Sequence, residues 1–150
     1  MPFVMKTRKT IPLIIAILFL NHTILFGDDY VDAMKRANRE NKPSVLYFYS
    51  NYCPYCNAMD KQVLADKEIS GPLKNEVVYL RVDVEKREAL AGFYGIRGYP
   101  TTLLLEPSGE RIAKMPGYIP KKEFKKILTY AIGRHYKVVG LNEFLRKKQR

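Results

Sequence analysis

The strongest constraint on the fold is a regular alternation of short apolar runs with segments of helical periodicity. Residues 45–49 are apolar throughout and rich in aromatic side chains, a run too short for a buried helix. Strands are predicted at residues 45–49, 77–82, 101–105 and 111–115. Helices are predicted from Asp28 or Asp29 to before Asn41, from Cys56 to about Lys67, and over residues 68–75, 85–93 and 121–132. This order predicts an α/β fold with a central mixed β-sheet flanked by helices.

Composition and charge limit the chain to one domain. Of its 150 residues 47% are apolar and 12% aromatic, which is enough to bury the core of a single domain. We expect that domain to span residues 28–132. The net charge of +11 lies mostly outside it, because the three charged residues before residue 28 are all basic and six basic residues against one acidic follow residue 132. A nucleic-acid binder needs a basic face on the folded body, so no nucleic-acid partner is predicted.

The first 27 residues have the organisation of an export signal. Three basic residues precede residues 11–26, which contain no Lys, Arg, Asp or Glu. A helix over these residues would be about 24 Å long, short of the roughly 30 Å hydrocarbon core. Because no Ala-x-Ala cleavage sequence follows, residues 1–27 are predicted to be either a cleaved signal peptide or an uncleaved N-terminal membrane anchor. Met5 is a candidate initiator, since the basic residues follow it directly. In both cases the domain is expected to be exported, to the periplasm or another extracytoplasmic compartment.

Residues 133–150 form a basic C-terminal extension. Leu141, Phe144 and Leu145 share one helical face, which predicts a short helix docked on the domain. The surrounding basic residues have two interpretations, a solvated end or a contact with anionic lipid or an acidic partner. Membrane association through residues 11–26 or through this extension is therefore an alternative to a soluble protein. A monomer is expected.

Reactive chemistry is indicated by Cys53-Pro54-Tyr55-Cys56, which follows the first predicted strand and begins the next helix. The N-terminus of a helix offers unpaired N–H groups and the positive end of the helix dipole, and both stabilise a thiolate. Cys53 is nearest that end and is the predicted nucleophile. Cys56, one turn further on the core-facing side, is the predicted resolving thiol, and Pro54 suits the first helical turn. The pair favours thiol–disulfide exchange, with no cofactor other than the Cys53–Cys56 disulfide itself.

Other uses of the two cysteines compete with exchange. A metal site needs more ligands, but there is no third cysteine, and the two histidines, His22 and His135, lie in the leader and the extension. No metal is therefore predicted. A structural disulfide that closes so short a loop removes little chain entropy, and a Cys-His hydrolase needs a histidine within the domain. Metal handling and a redox-inactive binding role stay open as alternatives.

Two segments carry a family resemblance. The sequence V-L-Y-F-Y-S-N-Y-C-P-Y-C at residues 45–56, followed by Y-G-I-R-G-Y-P-T at residues 94–101, resembles the thioredoxin superfamily, especially exported bacterial thioredoxin-like proteins that act on the disulfides of other proteins. The resemblance implies a thioredoxin-like fold over roughly residues 28–132. It implies that Pro100 is the family's cis-proline facing the cysteines, that Tyr99 contacts substrate, and that Gly117 keeps the substrate groove open.

The sequence departs from thioredoxins around the cysteines. Tyr52 replaces the tryptophan before the first cysteine, and Pro54-Tyr55 replaces the usual Gly-Pro. Pro-Tyr is typical of glutaredoxins, but no glutathione-binding glycine-glycine-x-aspartate sequence is found near the end of the chain. Tyr47 occupies the position where thioredoxins bury a carboxylate that helps to deprotonate the resolving cysteine. Another group must then deprotonate Cys56, and the sequence does not identify it.

The resemblance implies an extracytoplasmic thiol–disulfide oxidoreductase. Its partners would be protein substrates with disulfides and an upstream thiol donor or acceptor. We expect a reductase, with a disulfide oxidant or isomerase as the alternative. Tyr52, Tyr55, Tyr99 and Tyr118 are expected near the cysteines, with Tyr55 supporting the active site and the other three contacting substrate, since tyrosine combines rigid apolar area with a polar tip. Alternatively, some of the 11 tyrosines cluster there without a role.

Overall fold

The computed structural model describes residues 28–147, so the predicted leader at residues 1–27 and the last three residues lie outside the described residues. The helices are α1 (Asp28–Glu40), α2 (Pro54–Met59), α3 (Lys67–Asn75), α4 (Glu88–Phe93), α5 (Lys121–Ile132) and α6 (Leu141–Lys147). A π-helical turn at Asp60–Leu64 continues α2, and a 3-10 turn at His135–Lys137 precedes α6. The strands are β1 (Ser44–Tyr49), β2 (Val78–Asp83), β3 (Thr101–Leu105) and β4 (Arg111–Pro116).

The four strands form one mixed sheet in the order β2-β1-β3-β4. β1 runs parallel to β2 and antiparallel to β3, and β3 runs antiparallel to β4. β1 is therefore an interior strand covered on both faces, which explains why it is a continuous apolar run rather than an alternating one. The predicted α/β fold with a central mixed sheet is confirmed.

Each face of the sheet has its own hydrophobic core, because successive side chains of a strand point to opposite faces. Val45 and Tyr47 of β1 pack with residues of α2, α3 and α5 on one face. Leu46 and Phe48 pack with residues of α4 and α1 on the other face. All four side chains are fully buried, and each such burial stabilises the fold by about 1.5–3 kcal/mol. The strand that leads to the cysteines is thus rigidly held.

The structure corrects two predicted helix boundaries. The helix predicted from Cys56 to about Lys67 is divided, because α2 passes into the π-helical turn and Asp66 then caps α3 by accepting the N–H of Glu68 at 2.9 Å. The helix predicted for residues 85–93 begins only at Glu88. The chain first turns after β2, where Lys86 donates its N–H to the Asp83 carbonyl at 3.2 Å.

The C-terminal extension contains the predicted docked helix, α6. The Phe144 ring centroid lies 5.2 Å from that of Tyr130 and 4.7 Å from that of His135. The Tyr130 hydroxyl donates to the Val139 carbonyl at 2.7 Å. The described part of the extension is therefore packed against the domain through α5. No helix within residues 28–147 is long and apolar enough to cross a bilayer.

Candidate active site

The two cysteines lie where β1 has ended and α2 begins. Cys53 is the N-cap of α2, with extended backbone (φ −93°, ψ 111°), and Pro54 follows in the first turn. The N–H of Cys56 donates both to the Cys53 sulfur at 3.2 Å and to the Cys53 carbonyl at 3.1 Å. Asn57 donates to the same carbonyl at 3.2 Å. The Cys53 sulfur therefore accepts a backbone N–H from the first turn of the helix, as expected for a side chain at the N-cap.

The two thiols differ in accessibility. Both are free, but Cys53 is partly exposed while Cys56 is only 1% exposed. Burial, followed by the hydrogen bond with Cys53, raises the pKa of the Cys56 thiol to about 11, although the Ser50 backbone and the Tyr47 hydroxyl act to lower it. At neutral pH only about 0.01% of such a thiol is ionised. Cys53 is therefore the sulfur that a substrate can reach, and Cys56 is held behind it as a protonated thiol.

Tyr47 lies directly beneath the helix that carries the cysteines. It is completely buried, and its hydroxyl donates to the Cys56 carbonyl at 3.3 Å. Burial, and then the nearby negative charge of Asp60, raise the pKa of this phenol far above its ordinary value. The hydroxyl therefore stays a hydrogen-bond donor and is no base for Cys56.

A carboxylate lies near the Tyr47 phenol, on the helical turn that follows α2 rather than on the strand. Asp60 lies one turn after Cys56 and forms two bonds with the Arg81 guanidinium, at 2.7 and 2.9 Å. The central carbon of this guanidinium, Cζ of Arg81, lies 5.4 Å from the Tyr47 ring centroid and 4.5 Å from the Tyr49 ring centroid. Sequence reasoning missed the pair of Asp60 and Arg81, because 21 positions separate the two residues and no local pattern connects them.

The loop before Cys53 is tied to the turn after β2. The Ser50 hydroxyl donates to the Glu85 carboxylate and also accepts the N–H of Tyr52 at 3.2 Å. Asn51 donates its side-chain amide to Asp83 at 3.1 Å. The contacts with Glu85 and Asp83 join residues more than 30 positions apart, so the sequence alone contained no signal for them. They fix the loop that presents Cys53.

The loop before β3 and the end of β4 reach the same edge of the sheet as the cysteines. Phe48 pairs with Thr101, and Thr101 pairs with Pro116, so Pro100 and Gly117 lie beside the end of β1. The Tyr99–Pro100 peptide bond is cis, as the resemblance implies, and the Pro100 carbonyl accepts the Gly117 N–H at 2.7 Å. Gly117 has φ of +94°, which disfavours any other residue, and a Cβ there would stand in open space.

The four tyrosines predicted near the cysteines are placed differently. Tyr52 and Tyr55, on either side of Cys53 in sequence, are 88% and 68% exposed, and Tyr99 is 43% exposed. Tyr118 is half-buried, and its hydroxyl donates to Gln62 at 3.0 Å. The first three therefore present aromatic surface to solvent, whereas Tyr118 is bonded to the π-helical turn that follows α2. Over residues 28–147, no group of three or more His, Cys, Asp or Glu side chains is arranged to hold a metal ion.

Comparison with known proteins identifies the family. A sequence model described as a thioredoxin-like domain matches residues 30–132. The chain belongs to the thioredoxin-like family. This thioredoxin-like protein is 32% identical over 95 residues to a thioredoxin of Mycoplasmoides gallisepticum, an alignment that covers 59% of this chain and 83% of that protein. It is 26% identical over 100 residues to the thiol:disulfide interchange protein DsbD of Colwellia psychrerythraea, covering 62% of this chain and 16% of DsbD.

Solved structures show the same fold. A thioredoxin from Thermus thermophilus superposes with a TM-score of 0.61 at 31% identity, covering 73% of this chain and 84% of that one. The C-terminal domain of Neisseria meningitidis DsbD superposes with a TM-score of 0.59 at 26% identity, covering 71% and 98% respectively. In general terms, this thioredoxin-like protein is a thiol–disulfide oxidoreductase.

The two thiols of this thioredoxin-like protein differ in exposure, which predicts that an alkylating reagent modifies them at different rates. Iodoacetamide should modify Cys53 of the reduced, folded protein at pH 7–8 and leave Cys56 unmodified. Cys56 should react only as the pH approaches about 11, because its raised pKa keeps the thiol protonated below that value. Peptide mass mapping after timed alkylation measures both sites, and a urea-unfolded sample is the control in which both should react. Equal labelling of the folded protein at pH 7.5 would contradict the prediction.

Proposed function

We propose that this protein is an extracytoplasmic reductase of protein disulfides. The observation that carries the exchange chemistry is the asymmetry of the pair: Cys53 is partly exposed and accepts a backbone N–H, while Cys56 is buried directly behind it. The Cys53 sulfur can bond to a substrate, while the Cys56 sulfur is buried away from solvent. This arrangement suits a two-step exchange better than a structural crosslink or a binding surface.

The exchange proceeds with balanced bonds and electrons. The Cys53 thiolate attacks one substrate sulfur, the substrate disulfide breaks, and the departing substrate thiolate takes a proton from solvent. Cys56 then loses its proton to solvent, and its thiolate attacks the Cys53 sulfur of the mixed disulfide. The second substrate sulfur leaves as a thiolate and is protonated in turn. Two electrons have passed to the substrate, and an upstream dithiol donor must reduce the Cys53–Cys56 disulfide before the next cycle.

The reductase direction is proposed from the relatives, which include thioredoxins of Mycoplasmoides gallisepticum and Thermus thermophilus. Thioredoxin has a potential of about −270 mV, against roughly −120 mV for a strong oxidant. We place the Cys53–Cys56 pair nearer the thioredoxin value. The extracytoplasmic location is proposed from the export signal in the sequence.

Two measurements test the proposal together. Equilibration of the purified protein with glutathione redox buffers gives the potential of the pair, and we expect it below about −200 mV. Trapping thiols with acid in cells gives the oxidation state of the pair in its own compartment, which we expect to be mostly reduced. A potential near −120 mV with an oxidised pair in cells would establish an oxidant instead.

Substitution of Tyr99 tests the substrate surface. Tyr99→Ala should lower the rate of exchange with a protein disulfide by about tenfold, and with a small-molecule disulfide by less, because the ring provides contact area that only an extended substrate covers. Insulin and bis(2-hydroxyethyl) disulfide are suitable substrates. Tyr99→Phe, which keeps the ring, should retain most of the rate with insulin. Equal losses on both substrates would show that Tyr99 supports the site rather than recognises substrate.

A further inference from the structure

A surface groove adjoins the predicted substrate-binding loop on the side away from β2. It has a volume of about 360 Å³ and is lined by Gly95, Ile96, Arg97, Gly98, Thr101, Lys114 and Pro116. Thr101 and Pro116 are neighbours of Pro100 and Gly117 in the chain and are paired with each other across β3 and β4. A segment bound along Pro100 would therefore pass the mouth of this groove.

The groove is cationic. Arg97 is exposed, and none of the ion pairs formed among residues 28–147 includes it. The Lys114 amine donates to the carbonyls of Gly95 at 3.1 Å and Tyr94 at 3.5 Å, which holds it in place but leaves its charge uncompensated. No acidic residue lines the groove. Two cations thus face a cleft that contains no anion of its own.

The carboxylates on the other side of the cysteines are already paired. β1 lies between β2 and β3, so the loop with Cys53 is flanked by the end of β2 on one side and by the groove next to β3 and β4 on the other. Asp83, at the end of β2, is buried and lies 3.7 Å from the Lys86 amine, and Glu85 accepts the Ser50 hydroxyl. The cations of the groove, in contrast, have no anionic partner among the described residues, and uncompensated charge of this kind fixes the orientation of a partner more than it adds to its affinity.

We propose that the groove binds an acidic side chain of the protein substrate, next to the cysteine that Cys53 attacks. Arg97 presents a planar fork of donors that matches a carboxylate, and the anchored Lys114 adds a second charge with little loss of side-chain freedom. The glycines on either side leave the backbone open to the incoming group. The substrate class is thus an extended segment with Asp or Glu beside its disulfide. This inference rests on the proposed reductase function.

The test uses the full chain, fully reduced beforehand, and two disulfide-bonded peptides of identical ring size. One peptide has aspartate on both sides of one cysteine and the other has asparagine there. Each rate is divided by the rate with bis(2-hydroxyethyl) disulfide, which corrects for changes at the cysteines themselves. We expect the wild type to prefer the aspartate peptide by about five- to tenfold at low salt, and the preference to fall as ionic strength rises.

Variants then assign the preference to the groove. Arg97→Glu should abolish or reverse the preference, and Arg97→Lys should retain part of it. Arg36→Glu, an exposed arginine on α1 with the same change in net charge, should leave the preference as in the wild type. No preference in the wild type, or equal effects of Arg97→Glu and Arg36→Glu, would overturn the assignment. Failure of the wild type to reduce any of the three disulfides would instead overturn the proposed function, and this assignment with it.

Discussion

Replacement of Cys53 by serine should abolish disulfide reduction, lowering the rate by more than about three orders of magnitude. The expected loss is large because a hydroxyl is not ionised at neutral pH and cannot form the mixed disulfide, while Cys56 is only 1% exposed and cannot take over. Insulin reduction and single-turnover exchange with bis(2-hydroxyethyl) disulfide both measure the loss.

The serine variant should keep its fold, which separates lost chemistry from lost structure. Cys53 is partly exposed, and a serine oxygen at the N-cap of α2 accepts the same backbone N–H as the sulfur. Urea unfolding should therefore shift by less than about 1 kcal/mol in the free energy of unfolding. Substantial residual turnover in a folded Cys53→Ser protein would contradict the assignment of Cys53 as nucleophile.

Replacement of Cys56 by serine should stop turnover but trap the first intermediate. Cys53 can still attack a substrate disulfide, and no second thiol remains to release the product. The mixed disulfide should accumulate to one equivalent of protein, visible by intact mass and on non-reducing gels, and dithiothreitol should dissolve it. In the wild type the same species should be nearly absent, because Cys56 resolves it.

The serine of Cys56→Ser is buried, and an unpaired hydroxyl inside the protein costs about 1–3 kcal/mol of stability. Loss of turnover in this variant alone would therefore not separate the missing thiol from a weakened fold. Cys56→Ala is the matched variant, because it removes the thiol without adding a polar group. Both variants should trap substrate. If neither accumulates an adduct although circular dichroism shows both folded, Cys53 and Cys56 do not act in sequence as proposed. An adduct on Cys56 in the Cys53→Ser variant would reverse their roles.

Most of the fold could be predicted from the sequence because its signals are local. The strands follow from short apolar runs, and α1, α5 and α6 follow from helical periodicity, so these elements lie close to the predicted positions. The boundary errors arise at turns and caps that helical periodicity does not show. Asp66 caps α3 by accepting the N–H of Glu68, and α4 begins only at Glu88, after the turn in which Lys86 donates its N–H to the Asp83 carbonyl.

The candidate site was predictable only in part. Cys53, Cys56 and Pro100 stand out through the C-x-x-C spacing and the Tyr-Pro-Thr segment, and the structure brings their elements to one edge of the sheet. The expected contact of Tyr118 with substrate stays a prediction, and the sequence contained no signal for the bond of its hydroxyl to Gln62. The location of the protein and the direction of electron transfer stay predictions that depend on the leader and on the redox potential.

The order of strands and helices, and the two sulfurs that carry the chemistry, were determined by the sequence alone, since hydrophobic periodicity and short spacings act between near neighbours along the chain. Only the tertiary structure decided which charged and polar side chains meet on the segments around those sulfurs. Asp60 meets Arg81, and Ser50 meets Glu85, across 21 and 35 positions of sequence, when β1 and β2 pair. Such contacts form only when the sheet brings distant segments of the chain together. No local sequence pattern therefore indicates which side chains will meet.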